Sequence, residues 1–264
     1  MHVSVIIGVL VMAAAYVWTA TGLRRRIPRR QGLAFAAALA TITVALNGPI
    51  DALADERLFT AHMLQHLLLT MVMPPLLLFG IPGWMFAWAL RWRGAYIIGR
   101  RLTNPLIAFA VYNGFLAIVH APAVFESMVR NDTMHVALHL GMMVTGTILW
   151  WPLMSPVEEL PRLSYPAQLL YLFVLMVPMA AISAPITLAH DVIYPWYTEA
   201  PHPFGLTPLS DQILGGLLMW VGAGTYLLCV ATLIFFRWAR WEDRDEPVLA
   251  PPRRPARPSA VRVS

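Results

Sequence analysis

A chain of 264 residues that is 58% hydrophobic and only 12% charged, with a mean hydropathy of +0.62, lies outside the composition of soluble domains, where about a quarter of residues are charged. A bilayer core about 30 Å thick takes roughly 20 apolar residues per helix, so this length supplies six to eight spans and short loops, with no room for a separate soluble domain. All 19 basic residues are arginine, which excludes a lysine Schiff base; the net charge of +5 forms no basic stripe interleaved with aromatics, which argues against a nucleic-acid partner; and a single cysteine excludes an internal disulfide or a paired-thiol carrier.

Apolar runs bounded by charge or turn clusters predict an all-α, polytopic bundle of seven transmembrane helices, at about 3–23, 31–49, 60–80, 104–121, 132–153, 166–189 and 210–236. No basic segment precedes the first run, and Arg24, Arg25, Arg26, Arg29 and Arg30 follow it, so a retained helix is expected rather than a cleaved signal peptide. In the third run Pro74 and Pro75, and in the sixth Pro178 and Pro185, remove backbone donors that neighbouring helices or waters must replace. Cys229, inside the seventh run, reads as a small buried hydrophobe. The membrane domain is expected over 1–241. From 242 to 264 an acidic stretch gives way to PPRRPARPSAVR, a composition that cannot bury a core and reads as a disordered cytoplasmic tail.

Orientation follows from the arginines. With the N-terminus outside and the C-terminus cytoplasmic, 17 of the 19 fall in cytoplasmic segments, leaving Arg57 and Arg130 outside. The outer segments then carry Asp51, Asp55, Glu56, Glu126, Asp132, Asp191, Glu199 and Asp211, so the outer face is acidic. Trp84, Trp88, Trp92, Trp150, Trp151, Trp238 and Trp241 sit near the inner interface, as an aromatic belt would.

In that topology all eight histidines lie on the outer side: His2, His62, His66, His120, His135, His139, His190 and His202. Two pairs have a sharper geometry. In AHMLQH and MHVALH the imidazoles are four residues apart, so His62 with His66, and His135 with His139, each project from one helix face. Both helices run inward from the same surface, which brings the pairs to matching depth, and an imidazole buried in a membrane is a functional hypothesis by default. His120 and His190, each closing a helix, are expected to converge at the same level. Interhelical hydrogen bonding is the structural alternative for any one histidine.

Imidazole suits copper, zinc, iron or nickel, and thioether sulfur favours reduced copper. Met143, four residues after His139, and Met219, seven after Gln212, are the methionines placed to join such a site. Asp211 reads either as a carboxylate ligating or orienting an imidazole or as a helix N-cap, and Asp191 as a solvated loop charge. A haem b on two helices would use the same histidines. No phosphate loop, nucleophile triad or paired-cysteine motif is present, so no enzyme is expected.

The blocks FTAHMLQHLLLTMVMPPLLLFGIP, MHVALHLGMMVTGTILWWPL, AHDVIYPWY and PLSDQILGGLLMWVGAG together resemble the CtaG family of assembly factors for caa3-type cytochrome c oxidase, over about residues 55–240. The resemblance implies a seven-helix protein of the bacterial plasma (inner) membrane that helps build the oxidase at the stage of copper insertion, with an oxidase subunit as partner. Its motif histidines correspond to His62, His66, His135 and His139, and its last-helix pattern to Asp211, Gln212 and Met219. The alternatives are a b-type haem electron carrier and a copper transporter.

Overall fold

The computed structural model describes residues 3–56, 58–199 and 203–245, and every regular element among them is helical. His2, His202 and the tail beyond Asp245 lie outside the described residues. The first hairpin is α1 (Val3–Gly22) and α2 (Arg29–Leu46), followed by a short α3 (Pro49–Glu56). Next comes a long interrupted helix, α4 (Phe59–Leu67), a π-turn over Leu68–Val72, and α5 (Met73–Gly80). Two short helices, α6 (Gly83–Ala89) and α7 (Arg93–Leu102), lead into α8 (Pro105–His120), α9 (Pro122–Val129), α10 (Asp132–Met154) and α11 (Tyr165–Thr187). The chain ends in a second interrupted helix, α12 (Pro208–Leu217), a π-turn over Leu218–Gly222, and α13 (Ala223–Asp245).

Six stretches are individually long and apolar enough to cross a membrane: Val3–Gly22, Arg29–Ala54, Phe59–Gly80, Asp132–Met154, Tyr165–Thr187 and Pro208–Glu242. The seventh expected span, at 104–121, is α8, which reaches that length only together with α7, from which it bends by 74°. The segment 81–103, read from sequence as a connection, is itself mostly helical. α7 buries none of its residues and spreads Arg93, Arg100 and Arg101 among apolar side chains, the composition of a helix lying at an interface rather than crossing a core. At the arginine-rich end Arg25 lies 5.9 Å over the Trp84 ring and Arg162 lies 5.7 Å over Tyr165, so cation and aromatic belt share one level.

Large apolar side chains face outward along the bundle, among them Leu10 and Trp18 on α1, Phe173 and Val177 on α11, and Leu233 and Phe236 on α13. Polar groups point inward, the inside-out arrangement a lipid environment permits. Cys229 corrects the expectation of burial. It is exposed on α13, because the buried stripe of that helix runs through Ala223, Leu227 and Ile234, and a residue two positions from Leu227 faces away.

The tandem proline has the consequence read from sequence. In an α-helix the amides of residues 74 and 75 would serve the carbonyls of Thr70 and Met71, and proline has none to offer. The Trp150 indole Nε1–H donates to the Thr70 carbonyl at 2.9 Å, and the Tyr226 hydroxyl donates to the Met71 carbonyl at 2.8 Å. α10 and α13 therefore each satisfy one of the two orphans, and the π-turn begins two residues after His66, at Leu68. On α5, Gly80 is required by close approach: a Cβ there would lie 2.5 Å from the Phe35 amide nitrogen of α2. The same contact lets Tyr16, stacked on Phe35 at 3.9 Å, donate its hydroxyl to the Gly80 carbonyl at 2.9 Å.

Candidate metal centre

The start of α4 is held by a residue remote in sequence. The Asp211 carboxylate accepts from the amides of Phe59 at 2.6 Å and Thr60 at 3.0 Å, and the Thr60 hydroxyl donates to the Asp211 carbonyl. The carboxylate thus takes two of the four free amides of a helix start and places its charge at the positive dipole end. Its own helix, α12, is capped by Thr207 in a capping box with Ser210. Of the two readings made from sequence, the cap is seen, on α4 rather than α12. Gly215, one turn along, admits the Phe59 ring, which a Cβ would approach to 2.4 Å. α10 begins at Asn131, whose side chain accepts from the Met134 amide at 3.0 Å.

From these two helices, His62 with His66 and His135 with His139 face one another. The His62 and His135 rings lie parallel within 5° at 5.4 Å, and the His66 ring stands edge-on to His139 at 5.5 Å and to His120 of α8 at 5.4 Å. His62, His66 and His139 each offer a ring nitrogen, and the three nitrogens lie within 4.8 Å of one another. Relative exposure is 0% for His62, 3% for His66, 5% for His120 and 6% for His139, while His135 is half-buried.

Both nitrogens of His66 lack a hydrogen-bond partner within the protein, as does Nε2 of His120, while the His62 ring has a backbone contact, with Ala54, short of a well-formed hydrogen bond. Each such buried nitrogen costs about 1–3 kcal/mol if left unpaired. The His120 Nδ1 lies 2.8 Å from the Leu116 carbonyl. A carbonyl only accepts, so Nδ1 carries the proton and Nε2 keeps its lone pair, the tautomer a metal ligand needs. Convergent buried imidazoles, each able to present one lone pair, fit a cation.

The other residues read from sequence are dispersed. His190 does not join the cluster. It is exposed and makes no ring contact with the other five, because α11 ends at Thr187 and the chain leaves the bundle before it. Gln212 works as a clamp, its Oε1 accepting from the Ile193 amide at 2.6 Å and its Nε2 reaching the carbonyls of Ile186 and Asp191. Met143 turns to the α2 side of α10, while Met219 is buried with Phe59, Met63, Phe125 and Met128, in a group whose Phe125 ring lies 5.1 Å from His62. Asp191 is an exposed loop residue, as read from sequence.

Three features escaped the sequence reading. Phe59, Phe125, Tyr194 and Tyr197 form one aromatic cluster, with Phe125 and Tyr194 at 4.4 Å, that covers the histidines. The Tyr194 hydroxyl donates to the His120 carbonyl at 2.8 Å, and burial pushes its pKa above the ordinary tyrosine value. Gln65, between the paired histidines, points the other way, donating to the Ala45 carbonyl at 2.7 Å and to Asp51 at 3.3 Å. The sequence signals for these were the blocks FTAHMLQHLLLTMVMPPLLLFGIP and AHDVIYPWY, which hold Phe59 and Gln65, and Tyr194 and Tyr197, without assigning them a task.

The model of the family described as cytochrome c oxidase caa3 assembly factor (Caa3_CtaG) matches residues 14–241. The chain belongs to this family. The match reaches further toward the N-terminus than the resemblance at 55–240 did, taking in the second part of α1, from residue 14, and all of α2. Among curated relatives of this caa3 assembly-factor family member, uncharacterized proteins of Mycobacterium bovis and Mycobacterium tuberculosis are each 26% identical over 204 residues, and one of Mycobacterium leprae is 24% identical. Each alignment covers 71% of this chain and 31% of the relative, so the chain spans about a third of the length of the curated relatives it matches. No solved structure matches it.

Proposed function

We propose that the protein is a non-catalytic copper-binding factor in the assembly of a caa3-type cytochrome c oxidase, holding the ion at His62, His66 and His139, with His120 and His135 beside them, and passing it to an oxidase subunit. The observation that carries the reading is the convergence of three buried imidazoles with ring nitrogens within 4.8 Å, one of which, His66, has no hydrogen-bond partner in the protein for either nitrogen. Family membership supports the assembly role. The imidazole donor set suits copper rather than hard, oxygen-seeking ions. We place the histidine end on the outer face of a bacterial plasma membrane, where the distribution of arginines puts it.

Two observations favour this reading over its alternatives. The five rings pack directly against one another at centroid distances of 4.3–5.8 Å, which leaves no slab between facing pairs for a porphyrin. Beneath His66 the bundle is filled by Met71, Tyr112, Leu116, Met142, Leu149 and Trp150, all at most 4% exposed, which speaks against a conduit through the membrane. The test is elemental analysis and a visible spectrum of purified protein beside a His66→Ala/His139→Ala variant. About one copper per chain in the first, at least tenfold less in the second, and no haem absorption are expected; equal copper in both would refute the assignment.

A further inference from the structure

The cluster is closed along the axis of the bundle and open at its side. Over its end lie Phe59, Phe125, Tyr194 and Tyr197, each at most 2% exposed. Their loop is tied down by the Tyr194 bond to His120, the Tyr197 bond to the Ala54 carbonyl at 3.0 Å, and the Trp196 amide bond to Glu126 at 2.9 Å. Outside them Arg130 pairs with Glu126 and Glu199 and lies 4.9 Å over the Trp196 ring. An ion arriving from that direction meets a packed apolar plug beneath an arginine.

To the side, a half-open groove of about 700 Å³ runs between α1, α2 and α10. His135 and His139 line it, whereas His62 and His66 do not. Most of its length is apolar, and its carboxylates, Asp51 and Asp132, come from the α3 and α10 starts at the histidine end. Among the described residues no arginine lines it. Asp51 is only 7% exposed and accepts from Gln65, the residue between the two α4 histidines, so it is anchored beside the cluster.

We propose that copper enters and leaves the cluster sideways, through this mouth, drawn by Asp51 and Asp132 and passed by way of His135 to His139 and the deeper pair. The inference rests on the copper-binding reading above. Burial deepens along the route, from half-buried His135 through His139 at 6% and His66 at 3% to His62 at 0%. Carboxylates at a low-dielectric mouth raise the local cation concentration, and as hard ligands they hold copper less well than several imidazoles do, so the ion is gathered there without being trapped. A receiver must then present its own ligand from the plane of the membrane rather than from the solution above it.

The test is stopped-flow uptake of cuprous ion, supplied on a chromogenic chelator, by the full chain in detergent. Val136→Trp narrows the groove next to His135, Asp51→Asn/Asp132→Asn removes the mouth charges, and Glu126→Gln/Glu199→Gln changes the covering loop instead. Val136 and Asp132 are both exposed, so the Val136→Trp and single Asp132→Asn variants keep the test intact should the Asp51 change unfold the protein. At least tenfold slower uptake is expected for the two mouth variants, at wild-type final stoichiometry, with the loop variant at wild-type rate. Wild-type rates in the mouth variants, an equal slowing in the loop variant, or a loss of final stoichiometry in Val136→Trp would each overturn the route while leaving the copper site standing. A wild-type protein that takes up no copper would overturn both.

Discussion

At the scale of single residues, the site is positioned by hydrogen bonds remote from the converging imidazole nitrogens. Asp211 is the clearest case. Its two oxygens serve two different amides of α4, so the carboxylate fixes the start of the helix that carries His62 and His66 against α12. Asp211→Asn keeps the volume but turns one oxygen into an NH₂ facing an N–H, and it removes a charge from a helix start. A loss of about 1–3 kcal/mol is expected, read as a lower unfolding midpoint in detergent. Copper affinity, followed by chelator competition, should fall with it, because α4 is then no longer held in register. A variant with unchanged stability would show that the contact is incidental. His120 makes a related point: a bond to the Leu116 carbonyl on its own helix chooses its tautomer, so one turn of α8 decides which nitrogen is presented.

At the scale of elements, the interruption after His66 is a shared structure of three helices. Pro74 and Pro75 leave two carbonyls exposed in a medium without water, and α10 and α13 fill the gap with Trp150 and Tyr226. Trp150→Phe should cost about 1–3 kcal/mol, and the same change in a Pro74→Ala background should cost less than half as much, since residue 74 then has an amide to offer Thr70. Equal penalties in the two backgrounds, in a double-mutant cycle by denaturant unfolding, would show that the indole contributes only its volume. The close approaches at Gly80 and Gly146 keep the same helices in place; a Cβ at Gly146 would lie 3.2 Å from the Thr70 Cα. The long helices were readable as apolar runs, and the boundaries of α1, α10 and α11 fall within about two residues of those expected. α3, α6, α7 and α9 were not, because helices of seven to ten residues depend on the junctions they bridge rather than on a period of their own.

At the scale of the whole molecule, most of the basic charge and the site are segregated to opposite ends. Most arginines gather with the aromatic belt, whereas the histidines lie with Asp51, Asp132 and Glu126 at the other end, where Arg130 is paired with Glu126 and Glu199. With Cys229 replaced by serine, Glu199→Cys should react with an impermeant maleimide on intact cells, and Arg162→Cys only after permeabilisation. Both positions are exposed, so reactivity reports sidedness rather than burial. The opposite pattern would invert the topology and put the histidines in the cytosol.

The amino-acid sequence by itself determined the helical class, the membrane setting and the two histidine pairs, because each depends only on local spacing: roughly 20 apolar residues to cross a bilayer, and four residues to return to one face of a helix. Tertiary structure alone decided which side chains meet. It brought His120 into contact with His66 and left His190 outside, turned Met143 away to the groove side, and set Asp211 on a helix more than a hundred residues distant. Those outcomes depend on how far each helix extends and which neighbour it packs against, and neither is encoded in the spacing of residues along one segment.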